Sequence, residues 1–201
     1  MLADRRGRRV GLLGGSFNPA HGGHRHISLM ALKLLNLDEV WWLVSPQNPL
    51  KPVAGMAPFA ERLAGAAAVT RHPRIKVTDI ETRLGSRYTA DTLALLRRRF
   101  PNTHFVWLIG ADNLQQIHRW NRWEHIFRLT PVAVFARPAY SLAALSSVAA
   151  HRFGRSRILP QAARRLATMA PPAWVFFPIR LDPASATALR RNGAKPKTPH
   201  D

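Results

Sequence analysis

The chain has 201 residues, 46% hydrophobic and 20% charged, which fits one soluble domain whose core needs no staples. It contains no cysteine, so a disulfide framework, a thiolate nucleophile and Cys-ligated zinc are excluded, and no apolar run approaches the ~18 residues that would span a bilayer. Lys and Arg outnumber Asp and Glu by 30 to 11, a net charge of +19, which suits a phosphate-bearing partner, a nucleic acid or a small polyphosphate, as well as a merely solvated arginine-rich surface.

The chain opens with a basic segment, Arg5, Arg6, Arg8 and Arg9, followed by an apolar run over 10–13 that is too short for a secretory signal, so a cytoplasmic location is expected. That run reads as a buried first strand. Further strands are predicted at 40–44, 75–77, 105–109, 132–136 and 174–177, each rich in Val, Ile, Phe or Trp and closed by a turn residue. After the first strand, Ile27, Met30, Ala31, Leu34 and Leu35 keep the spacing of one helix face, and helices are also predicted over 59–69, 89–100 and 114–127. Strand and helix alternate, which predicts an α/β, Rossmann-like open and mostly parallel sheet with helices on both faces. Ligands of such sheets bind beyond the carboxyl ends of the strands, where the strand order reverses. Residues 45–58, with four prolines, read as a long loop, and within it Lys51 is the only charge, a candidate phosphate clamp against the plainer reading of a solvated lysine. Residues 1–191 are expected to form the domain and 192–201 a disordered basic tail.

The chemistry concentrates in Gly14-Gly15-Ser16-Phe17-Asn18-Pro19-Ala20-His21-Gly22-Gly23-His24. Two glycines at a strand's carboxyl end let the backbone approach a ligand closely, and the following helix aims free amides and a partial positive charge at an anion. His21 and His24, three apart, can face the same crevice, and phosphate contact is the favoured role. A metal cluster with His26 is the competing one, weakened by the lack of an acidic ligand nearby. Neither the Walker A order nor GxGxxG is present. Asp112, just beyond the fourth strand, is placed to hydrogen-bond ribose hydroxyls. Trp120 shares helical spacing with Trp123, Ile126 and Phe127, which favours a core role on periodicity alone. The arginines between 152 and 165 lack interleaved aromatics and read as a solvated face.

The stretch GGSFNPxHxGHxxI resembles the signature of the nucleotidyltransferase superfamily, in the form found in nicotinate-nucleotide adenylyltransferases. Further pieces follow in that family's order: Tyr88-Thr89-Ala90-Asp91-Thr92-Leu93, Gly110-Ala111-Asp112-Asn113, Trp120 with Trp123-Glu124, Ala136-Arg137-Pro138, and Ser185-Ala186-Thr187-Ala188-Leu189-Arg190. The last is similar to ISSTxxR, with Ala184 in place of the Ile. The resemblance implies transfer of the adenylyl group of ATP to nicotinate mononucleotide, releasing pyrophosphate, with Mg2+ accompanying the ATP and no metal held by the protein. It implies catalytic roles for His21, His24 and Arg190, and ATP contacts from Gly14, Gly15, Ser16, Phe17, Gly23, Ser185 and Thr187. It also implies mononucleotide contacts from Asn18, Lys51, Thr89, Asp112, Trp120 and Arg137, with Trp120 stacked on the pyridine ring. The amides of Tyr88, Thr89 and Ala90 would receive the nicotinate carboxylate. Phosphopantetheine adenylyltransferase is the nearest rival, against which Ser16, Asn18 and His21 speak; a basic nucleic-acid-binding module on the same fold is the rival of another class. Nucleic acid and membrane are not expected partners, and self-association stays open.

Overall fold

The computed structural model describes residues 2–46, 55–136 and 141–178. The expected disordered tail, Lys51, Arg137, Ser185, Thr187 and Arg190 lie outside them. Seven strands, β1 (Arg8–Gly15), β2 (Glu39–Val44), β3 (Ile75–Thr78), β4 (Thr103–Gly110), β5 (Val132–Phe135), β6 (Arg157–Ile158) and β7 (Trp174–Phe177), form one sheet of order β3-β2-β1-β4-β5-β7-β6. Every neighbouring pair is parallel. All six predicted strands are present. The seventh, β6, is an edge strand of two residues, too short to carry a pattern.

The chain winds outward from β1 to β2 and β3, then crosses back to lay β4 on the other side of β1. The strand order therefore reverses between β1 and β4, and the crevice expected of such sheets falls between the ends of these two strands. Both faces of the sheet are buried, so the strands are apolar without alternation. Residues of one parity, among them Val10, Leu12, Trp41, Leu43, Trp107 and Val134, pack under α4 (Thr89–Arg99), α5 (Ala111–Gln116), α6 (Trp123–Leu129) and α8 (Val148–Arg152). Those of the other parity, among them Leu13, Trp42, Val44, Leu108 and Phe135, pack under α1 (Gly22–Leu34), α2 (Phe59–Thr70) and a 3-10 segment, Pro160–Thr168.

Three short helices have no predicted counterpart: α8 and, completing the set, α3 (Ile80–Leu84) and α7 (Ser141–Leu145). Gly85 closes α3 in the left-handed region (φ 64°), a conformation that favours glycine, and the Ser86 N–H then reaches back to the Glu81 carbonyl at 3.1 Å. The predicted helix over 114–127 is broken. It runs as α5, a 3-10 turn at Ile117–Arg119 and a separate α6, with Arg122 at φ 50° between them. The apolar spacing of 114–127 continues across the break because both pieces bury Leu114, Ile117, Ile126 and Phe127 in the same core. Periodicity alone therefore could not reveal the break. Among the described residues no helix is long and apolar enough to cross a membrane.

Candidate active site

The carboxyl end of β1 carries the predicted phosphate loop. A Cβ on Gly14 would lie 2.5 Å from Cη2 of Trp107, a buried β4 residue, so only glycine lets the loop sit this close to β4. Phe17 occupies the left-handed region (φ 47°) without being glycine, a conformation that persists only where packing over-determines it. Its ring is 2% exposed, stacked on Trp42 at 4.9 Å and tilted against His24 at 4.8 Å. The side chain of Phe17 is thus a floor beneath the histidines, and an ATP contact from this residue has to come from its backbone.

His21 is the N-cap of α1 and His24 stands one turn further on, with ring centroids 3.8 Å apart. The His21 N–H donates to His24 Nδ1 at 3.2 Å, and the His24 N–H donates to the His21 carbonyl at 3.0 Å. Because Nδ1 accepts, a neutral His24 carries its proton on Nε2 and presents that atom as a donor. A chain behind it fixes the first turn: Trp42 Nε1 donates to Ser28 Oγ at 2.7 Å, and Ser28 Oγ donates to the His24 carbonyl at 2.9 Å. Gly23 is buried in this same turn. The two imidazoles therefore lie side by side at the start of α1. Among the described residues no three His, Asp or Glu side chains lie close enough to hold a metal.

Asn18 lies at the foot of the long loop. Its Nδ2 donates to the Gly55 carbonyl at 3.0 Å and its Oδ1 accepts from the Ala57 N–H at 3.2 Å, so its amide group ties the phosphate loop to residues 55–57.

Across the switch point, Gly110 ends β4 and caps α5, and Asp112 is half-buried in the first turn of that helix. Trp120 sits at the break between the 3-10 turn and α6, and Trp123 begins α6; both are half-buried against the same core, with Trp123 edge-on to Phe127 and Phe153. The break separates two tryptophans that periodicity had placed together. Thr89 begins α4 after the N-cap Tyr88, one of the few exposed large apolar side chains among the described residues.

Two site residues were missed in the sequence. Arg62, on α2, is 4% exposed, and burial lowers its pKa; its guanidinium donates to the carbonyls of Ser16, Ser45, Pro46 and Ala57 at 2.7 to 3.0 Å. Glu81 on α3 is 9% exposed, and burial pushes its carboxyl up to about 7 against the opposing hydrogen bonds of the Thr92 and Ser45 hydroxyls. Thr92 Oγ1 also lies 2.9 Å from Ser86 Oγ and 3.2 Å from the Tyr88 carbonyl, so Glu81 is wired to the start of α4. In the sequence Arg62 looks like an ordinary charge on a predicted helix, and Glu81 like one between predicted elements. The only available signal was their position, Arg62 just after the proline-rich loop and Glu81 just before the Tyr88-Thr89 motif.

A family model described as cytidylyltransferase-like matches residues 12–192. The chain belongs to the cytidylyltransferase-like family. It is 56% identical over 184 residues to the "probable nicotinate-nucleotide adenylyltransferase" of a Cereibacter sphaeroides strain, a match covering 92% of this chain and 97% of the relative. The protein of that description from Roseobacter denitrificans is 52% identical over 189 residues, 94% of each chain. The resemblance to nicotinate-nucleotide adenylyltransferases seen in the motifs thus extends over nearly the whole length. Among solved structures, the nicotinic acid mononucleotide adenylyltransferase of Plasmodium falciparum complexed with NaAD superposes with a TM-score of 0.68 at 17% identity, over 92% of this chain and 83% of that one. A likeness at that identity concerns the fold, a nucleotidyltransferase-type Rossmann-like sheet.

Proposed function

We propose that this chain is a nicotinate-nucleotide adenylyltransferase of NAD biosynthesis. An oxygen of the mononucleotide's phosphate attacks the α-phosphorus of ATP, the bond to the β-phosphate breaks, and nicotinate adenine dinucleotide and pyrophosphate leave. The observation that carries this reading is the His21–His24 pair, capped into one rigid turn beside the Gly14–Gly15 loop at the β1–β4 switch point, in a chain more than half identical to relatives of that description. The attacking phosphate is largely ionised at neutral pH, so no general base is needed, and catalysis is positioning plus stabilisation of the crowded phosphorus.

In this reading Nε2 of His24 and the amides after Gly15 face the triphosphate, with His21, Gly23 and, beyond the described residues, Ser185, Thr187 and Arg190 completing its shell. Asp112 takes the ribose hydroxyls of the mononucleotide, Trp120 its ring, the start of α4 at Thr89 its carboxylate, and Lys51 and Arg137 its remaining charge. Asn18 serves this half through the loop it ties down. An Mg2+ ion would come with ATP, carried by its phosphates and by water, and would neutralise charge on the leaving pyrophosphate. A reaction that consumes ATP supports a cytoplasmic location.

The test is pyrophosphate release from ATP with nicotinate or nicotinamide mononucleotide. The amide ligand would leave a buried N–H without an acceptor, at a cost of ~1 to 3 kcal/mol, so kcat/KM is expected to favour the acid by about tenfold or more. Equal efficiency with both would overturn the assignment of the carboxylate to the start of α4.

A further inference from the structure

The buried guanidinium of Arg62 has no place in the reading above, and its bonding is unusual for a buried charge. Four N–H donors go to four carbonyls on three separate stretches of chain: Nη1 to Ser16 and Ser45, both at 2.7 Å, Nη2 to Pro46 at 2.9 Å, and Nε to Ala57 at 3.0 Å. The Phe59 ring lies under the group, 5.3 Å from Cζ. Among the described residues no carboxylate pairs with it. A buried cation without a counter-ion is costly, and a purely structural cross-link could be made by neutral groups at lower cost.

The carbonyls it binds are informative. In a trans peptide the C=O of one residue and the N–H of the next point in opposite directions. The Ser16 carbonyl, drawn to Arg62, therefore turns the Phe17 N–H away from it. One peptide earlier, the Gly15 carbonyl accepts from the Ser45 N–H at 2.9 Å, which turns the Ser16 N–H away in the same manner. The Ser45 carbonyl is itself bound to Arg62, so both anchors depend on one side chain. Two successive amides of the phosphate loop are thus aimed by a group lying behind them.

We propose that Arg62 is the positioning residue for the adenylyl-transfer site, aiming the Ser16 and Phe17 amides at the triphosphate and lending its charge to that side of the crevice. This rests on the reading of the crevice as an ATP site. Lysine keeps the charge but concentrates its donors on one atom and cannot fork to four carbonyls.

The experiment compares wild type with Arg62→Lys and Arg62→Ala, each checked for fold by circular dichroism, measuring kcat and KM for pyrophosphate release. Arg62→Lys is expected to lower kcat by about 100-fold or more while both KM values stay within about threefold, the signature of misaimed transition-state donors. Millimolar guanidinium is expected to restore at least about tenfold of the kcat lost in Arg62→Ala. A kcat for folded Arg62→Lys within threefold of wild type, or a loss without rescue in a folded Arg62→Ala, overturns the proposal. A wild-type measurement stands independently of whether the variants fold: ATP alone, titrated into 15N-labelled protein, should shift the Arg62 Nε–H resonance together with the Ser16 and Phe17 amides. Movement of neither amide on saturation with ATP overturns it. Absence of pyrophosphate release by the wild type with both mononucleotides would instead sink the proposed reaction, leaving the ATP titration to judge Arg62.

Discussion

Replacing Glu81 by Gln should strip the protein of a pH-dependent loss of stability. The carboxyl is nine-tenths buried, and its pKa is pushed up to about 7 from 4.5, first by burial, with the Thr92 hydroxyl at 3.3 Å and the Ser45 hydroxyl pulling the other way. A carboxyl whose pKa is higher folded than unfolded binds its proton more tightly in the native state. Its contribution is therefore complete below about 4.5 and is lost as pH rises through about 7. The gap of about 2.5 pK units corresponds to ~3 kcal/mol, which in a chain of this size is roughly 6 to 12 °C in Tm. Gln resembles the protonated carboxyl in shape and donors but cannot ionise. Thermal melts of both proteins at pH 5, 6, 7 and 8 and constant ionic strength should give similar Tm values at pH 5 and a gap in favour of Glu81→Gln that opens by several degrees towards pH 8. A difference that stays flat across this range would refute the reasoning, because every other titrating group is common to the two proteins.

His24→Ala removes the Nε2 donor and the acceptor of the His21 N–H; kcat for adenylyl transfer should fall by ~100- to 1,000-fold, with a cap loss of ~1 kcal/mol in thermal unfolding, and a wild-type kcat would remove His24 from the mechanism. Gly14→Ala drives a methyl to 2.5 Å from the Trp107 ring and should cost ~1 to 3 kcal/mol by denaturant unfolding. Trp107→Phe in the same background should recover part of that loss, since it withdraws the clashing ring edge and its indole N–H has no partner among the described residues; no recovery would mean that the strain lies elsewhere.

The fold was legible because both faces of the sheet are buried: runs such as 40–44 and 105–109 are apolar at every position, and such runs stand out in any sequence. The loop after β1 stood out because glycines at a strand end and histidines three apart are rare together. Three features were not legible. The break at Trp120 leaves the apolar spacing intact, so a continuous helix and a kinked pair share one pattern. Phe17 looks like a ligand contact inside a binding motif, yet its ring packs downward on Trp42, because the left-handed backbone at this position turns the side chain into the core. Arg62 and Glu81 read as surface charges because burial of an ionisable group depends on partners distant in sequence, and residues 16 and 45 lie 46 and 17 positions from Arg62.

The two halves of the crevice hang from different cores, and this explains why glycine is needed where they meet. The histidines rest on Phe17 and Trp42 in the core beneath α1, while Asp112 and Trp120 belong to elements packed on the core of the opposite face, beneath α5 and α6. The sheet separates these cores, and in the proposed site the triphosphate contacts from one side and the ribose and ring contacts from the other meet over its carboxyl edge. β1 and β4 are the adjacent strands where that convergence occurs, and Trp107 of β4 fills the space a side chain at Gly14 would take. In the proposed reaction the two substrates would meet over this edge, supported from both faces of the sheet, which suits a reaction whose catalysis is mainly positioning.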